Sequence, residues 1–391
     1  MPPDNRVPLT PKQCAYISEI YPVDFVIEPS KGRCFSDEEY ASEGLKVSND
    51  LSQCDVLMGV KEVPVSHLLE DKTYFFFSHT IKKQPYNRKL LQALIAKKIR
   101  MIDYEVLRDV MGQRLIAFGH YAGIVGAHNA LWTYGKRCGL FDLERACESH
   151  DYEALRKQYA HIKFPPIKIC LTGNGRVANG AIDVLKDMNI REVSPEDYLS
   201  RAFDEAVFTQ LHGRHYVRNT SGQPFVKSEF YTHPERFESA FSPYAAETDI
   251  FINAIFWDSR SPRFFSLDDM DKPSFKIKVI ADVTCDIAPE SSVPSTLRAS
   301  TIVDPVYGYN PKTRTIERPF SPDVIDVMAI DNLPNELPRD ASDFFGRQFI
   351  ENILTELLHQ DNSAIIENAT ICRDGKLTPM FEYLSDFAQG S

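Results

Sequence analysis

The chain has 391 residues, 43% hydrophobic and 25% charged, a globular composition with room for two domains. That composition excludes a disordered, collagen-like or coiled-coil chain. Acidic residues number 55 against 44 basic ones, a net charge of −11, and the pairs Lys82-Lys83, Arg88-Lys89 and Lys97-Lys98 are too sparse for a nucleic-acid stripe.

No run of 18 apolar residues is present, so no membrane span is expected. The start of the chain, residues 1–11, is polar and proline-rich and lacks the apolar core of a secretory leader. The eight cysteines form no CxxC pair and no Cys/His cluster at zinc spacing. They read as free thiols of a reducing cytoplasm, and no metal is expected.

In chain order, residues 21–26, 56–60, 74–77 and 99–102 read as buried strands. Residues 88–98 read as a helix, with Leu90, Leu91, Leu94 and Ile95 at helical spacing. A second block opens after Pro165-Pro166 with a buried strand over 167–172, the turn Gly173-Asn174-Gly175 and a helix over 179–187. Residues 194–248 are polar, aromatic and loop-rich and read as an insertion. Strands follow at 250–256, 276–283 and 324–330, and an amphipathic helical segment at 344–386. Alternating strands and helices with buried, parallel-type strands predict an α/β chain of two Rossmann-like doubly wound domains with a cleft between them. The order of the blocks predicts a discontinuous substrate domain, 1–130 plus 341–391, around a dinucleotide-binding domain, 131–340.

The run Gly173-Asn174-Gly175-Arg176-Val177-Ala178-Asn179-Gly180 follows a strand and opens a helix, the setting in which backbone N–H groups approach a pyrophosphate. Ala178 stands where the third glycine is usual, and a tight strand–helix turn with no ligand has the same look. An acid about 20 residues on is expected to hold the ribose hydroxyls. Ser194 occupies that place, with Glu196 and Asp197 just beyond and no basic residue close behind. An acidic stretch repels a 2′-phosphate, so the expectation leans to NAD and leaves NADP open.

In the first block, Lys61 and His79 each follow an apolar strand. Ligand crevices of open α/β sheets lie at the carboxyl ends of strands, so the two are expected to share one crevice and to exchange protons. Alone, either residue is more simply a solvated lysine or a core histidine. Glu105 and Arg114 add an acid and a cation, and Arg6 lies near the start of the chain.

Together the stretches RVPLTP (6–11), GVKE (59–62), FFFSHTIKKQ (75–84), IDYE (102–105), QRLIAFGHYAG (113–123), GNGRVANGAID (173–183), DIFINAIFW (249–257), ADVTCDI (281–287) and IDNLPNELPRDASDFF (330–345) resemble, in order, the lysine-forming saccharopine dehydrogenase and lysine–ketoglutarate reductase family, relatives of alanine dehydrogenase. The resemblance implies a pyridine-nucleotide enzyme that oxidises saccharopine to lysine and 2-oxoglutarate, or runs the reverse. It implies Lys61 and His79 as the acid–base pair, tuned by Glu62 and Glu105. It places Arg6, Gln84, Arg114, Phe118, Thr284, Cys285 and Asp286 at substrate positions. It places Gly173, Gly175, Arg176, Ser194, Phe256, Val283, Ile330, Asp331, Asn332 and Leu333 at cofactor positions. A cysteine pair that some of these dehydrogenases carry falls on Val177 and Ala254, so that disulfide is not expected. Gln113 stands where a cofactor arginine precedes Arg114. The segments around Tyr231, Trp257 and Tyr309 look like the reductase branch, and Lys61-Glu62 like the dehydrogenase branch. The alternatives carried forward are an alanine-dehydrogenase-like activity and a catalytically silent nucleotide-binding module.

Overall fold

The structure, a computed structural model, describes residues 3–359 and 363–390. Its main strands in chain order are β1 (Val56–Met58), β2 (Thr73–Phe76), β3 (Arg100–Asp103), β4 (Lys168–Thr172), β5 (Arg191–Glu192), β6 (Val207–Leu211), β7 (Ile250–Asn253), β8 (Val279–Asp282), β9 (Tyr307–Asn310), β10 (Thr315–Glu317), β11 (Ile325–Met328), β12 (Thr370–Arg373) and β13 (Lys376–Leu377). The helices that matter below are α1 (Pro11–Ile20), α2 (Arg88–Ala96), α3 (Gly119–Cys138), α4 (Arg176–Asp187) and α5 (Pro338–Phe349). The chain divides into two compact units: residues up to Phe118 with those from Pro338 onward, and Gly119–Leu337.

The first unit is built on a five-stranded sheet in the order β13-β12-β3-β2-β1. Strands β1 to β3 are parallel, and β12 runs antiparallel to β3. In β2, Tyr74, Phe75 and Phe76 are all buried, the apolar run expected where both faces of a sheet are covered. One covering layer is α2, whose Leu90, Leu91 and Leu94 pack with Tyr74, Phe76, Met101 and Ile371 and with Leu384 and Phe387 from the end of the chain. Helix α1 is opened by a reciprocal cap: Thr10 accepts the backbone N–H of Gln13, Gln13 Oε1 accepts that of Thr10, and Pro11 supplies the first helical position. Gln13 Nε2 then donates to Asp343 O at 2.8 Å, tying α1 to α5.

The second unit carries an eight-stranded sheet in the order β10-β9-β11-β8-β7-β4-β6-β5. Six strands, β5 to β11 without β9 and β10 but with β4, are parallel; β9 and β10 complete the sheet antiparallel. Helices α3 and α4 meet backbone to backbone. A Cβ at Gly123 would come within 1.8 Å of Val177 O, and one at Gly180 within 1.9 Å of His120 O. Both units are α/β, as expected, each sheet holding a run of parallel strands that reaches one edge and antiparallel strands at the other. No helix among the described residues is long and apolar enough to cross a membrane.

Several expected elements differ. Residues 21–25 are not a strand, and only Val26–Ile27 are extended, paired with Lys46–Val47. Residues 194–248 are not wholly an insertion, because β6 lies inside them and pairs with β4 from Lys168↔Val207 to Thr172↔Leu211. The segment 344–386 is not wholly helical: β12 and β13 lie within it, and residues 360–362 fall outside those described. The helix expected from 179 begins at Arg176.

Candidate active site

The β1/β2 ladder runs past the end of β1. Gly59 N–H donates to Phe75 O at 2.9 Å, and Phe77 N–H to Val60 O at 3.0 Å. Lys61 and His79 therefore leave the sheet at the carboxyl ends of neighbouring parallel strands, Lys61 exposed and His79 half-buried. His79 has φ +53°, a left-handed backbone that β-branched or bulky residues avoid. It is held there by Asp103 at the end of β3, which is fully buried. Asp103 Oδ2 accepts Ser78 N–H at 2.9 Å and the Ser78 hydroxyl, and its Oδ1 accepts Glu105 N–H at 2.7 Å. The Ser78 and Thr80 hydroxyls lie 2.8 Å apart. One carboxylate thus fixes the residues flanking His79 and the backbone of Glu105.

The two side chains so placed face each other, with His79 Nδ1 3.5 Å from Glu105 Oε2. Lys82 Nζ lies 3.3 Å from Glu105 Oε1. His79 beside it, and then the charges of Lys82 and Arg114, hold the Glu105 carboxyl down at about 2 against the upward push of burial. A permanent carboxylate at Nδ1 favours the tautomer with its proton there and leaves Nε2 for proton traffic. Burial pushes Asp103 the other way, upward, against its three hydrogen bonds.

Aromatic rings wall this site. Phe77 stacks on His79 with 6.4 Å between centroids, and Phe118 stacks on Phe345 at 4.4 Å. The Arg114 guanidinium lies over Phe77 at 5.4 Å, and that of Arg6 over Phe118 at 4.1 Å. Lys61, His79, Glu105, Arg6, Arg114 and Phe118 thus all belong to the first unit. Arg6 is already paired within the chain. Its Nε and a terminal nitrogen donate to the two Asp4 oxygens at 2.9 and 2.6 Å, with both side chains under a tenth exposed. Burial pushes Asp4 up, but the hydrogen bonds and charge of Arg6, with the charge of Lys61, more than offset it and lower its pKa. Glu62 has one carboxylate oxygen, Oε2, buried without a partner. Gln84 bonds the exposed Tyr86 hydroxyl.

In the second unit, Gly173 (φ +109°) ends β4 and Gly175 caps α4 without a side-chain hydrogen bond. A Cβ at Gly173 would meet Ala254 O at 2.3 Å, whereas nothing lies within 4 Å of one at Gly175. The turn therefore presents the bare N-terminus of a 12-residue helix to open space, which fits a pyrophosphate. Arg176 is the first helical residue and is exposed.

The strand beside β4 is β6, whereas β5, just before Ser194, is a two-residue edge strand. Ser194 instead caps the helix Pro195–Ser200, accepting Asp197 N–H at 3.1 Å. The carboxyl end of β6 brings in His212, Arg214 and His215, which join Ser194, Glu192, Glu196 and Gln210 around a pocket of about 450 Å³. Gln210 Nε2 donates to Gly173 O at 2.8 Å, linking the pocket to the glycine turn.

Phe256, after β7, is 91% exposed. Thr284 donates to Ile255 O at 3.0 Å, and Cys285, at φ +56°, points its thiol at Ala329 O, 3.0 Å away. Burial and nearby acids push the Cys285 thiol up to about 12, and burial raises Asp286. Beneath them Asp282 is fully buried and accepts Thr296 Oγ1 at 2.6 Å and Asn253 Nδ2 at 2.8 Å; burial pushes it up to about 6. Val283 packs against Gly126 of α3. Ile330 bridges Ser300, and Asp331, Asn332 and Leu333 follow on the turn after β11. That turn ends at Glu336, buried and paired with Arg145 and Asn129.

Asp4, Asp103, Lys82, Asp282 and the trio at the end of β6 were not singled out from sequence. Asp103 was within reach, as a strand-end acid inside a motif already noted. The others depend on which strands are neighbours.

Comparison with known proteins agrees with the fold. A family model described as "Alanine dehydrogenase/PNT, N-terminal domain" matches residues 1–125. An L-alanine dehydrogenase structure superposes with a TM-score of 0.65 at 15% identity, covering 99% of this chain and 97% of the other, which shows a shared fold. The class is thus α/β of the alanine dehydrogenase type. More particularly, the chain is a homologue of the L-lysine-forming saccharopine dehydrogenases and of the alpha-aminoadipic semialdehyde synthases, as its motifs implied. The Emericella nidulans protein named saccharopine dehydrogenase [NAD(+), L-lysine-forming] is 26% identical over 94% of this chain and 92% of its own length. The mitochondrial alpha-aminoadipic semialdehyde synthase of Rattus norvegicus is 30% identical over 97% of this chain, which spans 46% of that longer protein.

Proposed function

We propose that this chain is a pyridine-nucleotide-dependent oxidoreductase of lysine metabolism. Its reaction is the oxidative cleavage of saccharopine to lysine and 2-oxoglutarate, or the reverse. The observation that carries the reading is the placement of Lys61 and His79 on adjacent strand ends, with His79 set against a permanently ionised Glu105. In this reading the first unit holds substrate and moves protons, and the second binds the dinucleotide.

A dinucleotide held with its pyrophosphate at Gly173 and Gly175 would supply the hydride acceptor for the glutaryl α-carbon of saccharopine. This chain's residues do the rest. The secondary amine must lose its proton first, since a protonated amine has no lone pair to drive the hydride out. Lys61 takes it. The resulting imine adds water, and the carbinolamine breaks its C–N bond to release lysine and the keto acid. His79 moves the protons of those two steps through Nε2, with Glu105 stabilising the imidazolium. Arg114 offers a guanidinium to a substrate carboxylate, and Phe77 and Phe118 exclude water from one side. Arg6 does so only if the substrate shares it with Asp4.

The test is a steady-state assay of the purified chain with saccharopine and with alanine, each with NAD and NADP, followed by reduced-nucleotide absorbance. Turnover of saccharopine and not alanine is expected. Alanine turnover alone, or none with either, overturns the reading.

A further inference from the structure

The acidic run 192–197 lines one wall of this pocket and on its own favours an unphosphorylated dinucleotide. The opposite wall comes from the turn after β6. This strand lies next to β4, the strand that carries the glycine turn, and it is the one whose carboxyl end reaches the adenosine ribose in sheets of this kind. It contributes Arg214, His212 and His215 and no acid.

The hydrogen bonding of that wall is incomplete in one specific way. His215 Nδ1 accepts the backbone N–H of His212 at 3.0 Å, and Nε2 of the same ring accepts Arg214 Nε at 3.1 Å. A neutral imidazole has one acceptor nitrogen, so it cannot satisfy both donors at once. An anion placed beside Arg214 relieves the conflict by taking the guanidinium N–H and leaving the ring to His212. The acids across the pocket are otherwise engaged: Glu192 sits 3.7 Å from Lys186, and Glu196 hydrogen-bonds Ser194 and its own backbone. The Ser194 hydroxyl and Gln210 amide add polar lining. Burial and the Arg214 charge lower the pKa of both histidines, as expected where cationic groups crowd together before their anion arrives.

We propose that Arg214, His215 and His212 form a phosphate-monoester site that takes the 2′-phosphate on the adenosine ribose, so that the chain selects NADP(H) over NAD(H). This rests on the dinucleotide-binding reading above, and it reverses the preference that residues 192–197 suggest on their own.

The test is equilibrium binding to the whole chain, by nucleotide fluorescence or calorimetry, of NADPH, NADH, 2′-AMP and 5′-AMP. NADPH is expected to bind at least about tenfold tighter than NADH, and 2′-AMP tighter than 5′-AMP, the span of one or two hydrogen bonds to a charged group. Arg214 is exposed, so Arg214→Ala should fold, and it is expected to remove most of the NADPH-to-NADH ratio. Equal or tighter NADH binding, with Glu196 taking the ribose hydroxyls, overturns the proposal. So does an Arg214→Ala variant that loses both nucleotides equally. A chain that binds neither dinucleotide overturns this and the cofactor reading together. NADPH binding without saccharopine turnover supports this proposal and overturns only the substrate assignment.

Discussion

His79 Nδ1 faces Glu105 Oε2 at 3.5 Å across the ends of two adjacent parallel strands. The carboxylate keeps its charge through any working pH because its pKa is held at about 2. Removing that charge disfavours the imidazolium. Glu105→Gln should therefore move the acidic limb of the kcat/KM pH profile to lower pH and reduce kcat. A profile that keeps its limb in place would show that Glu105 does not act through His79. The same lowered pKa carries a stability signature. The contribution is fully present above the ordinary carboxylate range and is lost as pH falls toward 2. Acid unfolding of Glu105→Gln should accordingly be less steep than that of the parent.

Lys61→Met and His79→Gln should each lower kcat by about 10² to 10⁴, the usual range for an acid–base group, with little change in nucleotide affinity. The double variant should fall by less than the product, since the pair works as a unit. Single variants that keep more than roughly a third of parental kcat would rule out the assignment.

Asp103 touches no expected substrate atom, yet it holds Ser78 and Glu105 on either side of the pair. Asp103→Ala leaves buried N–H groups unpaired, at about 1–3 kcal/mol each. The expected result is a lower denaturation midpoint together with a kcat loss that exceeds any change in nucleotide binding. A variant that loses stability but keeps kcat and its pH profile would make Asp103 a purely structural residue.

Breaking the Asp4–Arg6 pair leaves a buried guanidinium uncompensated. Asp4→Ala should cost about 3 kcal/mol in denaturant unfolding, and the Asp4→Ala, Arg6→Met double variant less than the sum of the two singles. A single-variant loss of only ~0.5 kcal/mol, typical of an exposed pair, would contradict this.

If a phosphate sits beside His212 and His215, it raises their lowered pKa values and binding takes up protons. NADPH affinity should then rise by about three- to tenfold from pH 8 to pH 6 while NADH affinity stays level. The charges facing these rings are Arg214 and Glu196 around His215, and Arg214, Glu192 and Lys227 around His212. Parallel pH curves for the two nucleotides would tell against the pocket.

Much of this was legible in the sequence where a signal is local. Gly173-Asn174-Gly175 between an apolar strand and an amphipathic helix marks its own turn, and Lys61 and His79 each follow an apolar run. What was not legible depends on neighbours. Val207–Leu211 follows a polar stretch, so its membership of the sheet shows only once it pairs with β4. The strand that ends at Leu211 therefore carries no local signal as the neighbour of the glycine turn. Thr370–Arg373 is four residues beside a helical pattern, and its pairing with β3 and β13 makes it a strand. The Asp4 partner of Arg6 is two positions away in an extended segment, a spacing that carries no signal until the chain's conformation is fixed.

The contact between α3 and α4 has a consequence for how variation in this chain would be read. With Val177 O and His120 O under 2 Å from the places a Cβ would occupy, neither Gly123 nor Gly180 accepts even alanine without driving the two helices apart. Helix α4 begins at the glycine turn, so the displacement would reach Gly175. In a saturation scan scored by growth or turnover, both positions would look as intolerant as Lys61 and His79, though neither bears a functional group. A thermal-shift readout run beside the activity score would separate them: the glycine variants would melt early, and those of the catalytic pair would not.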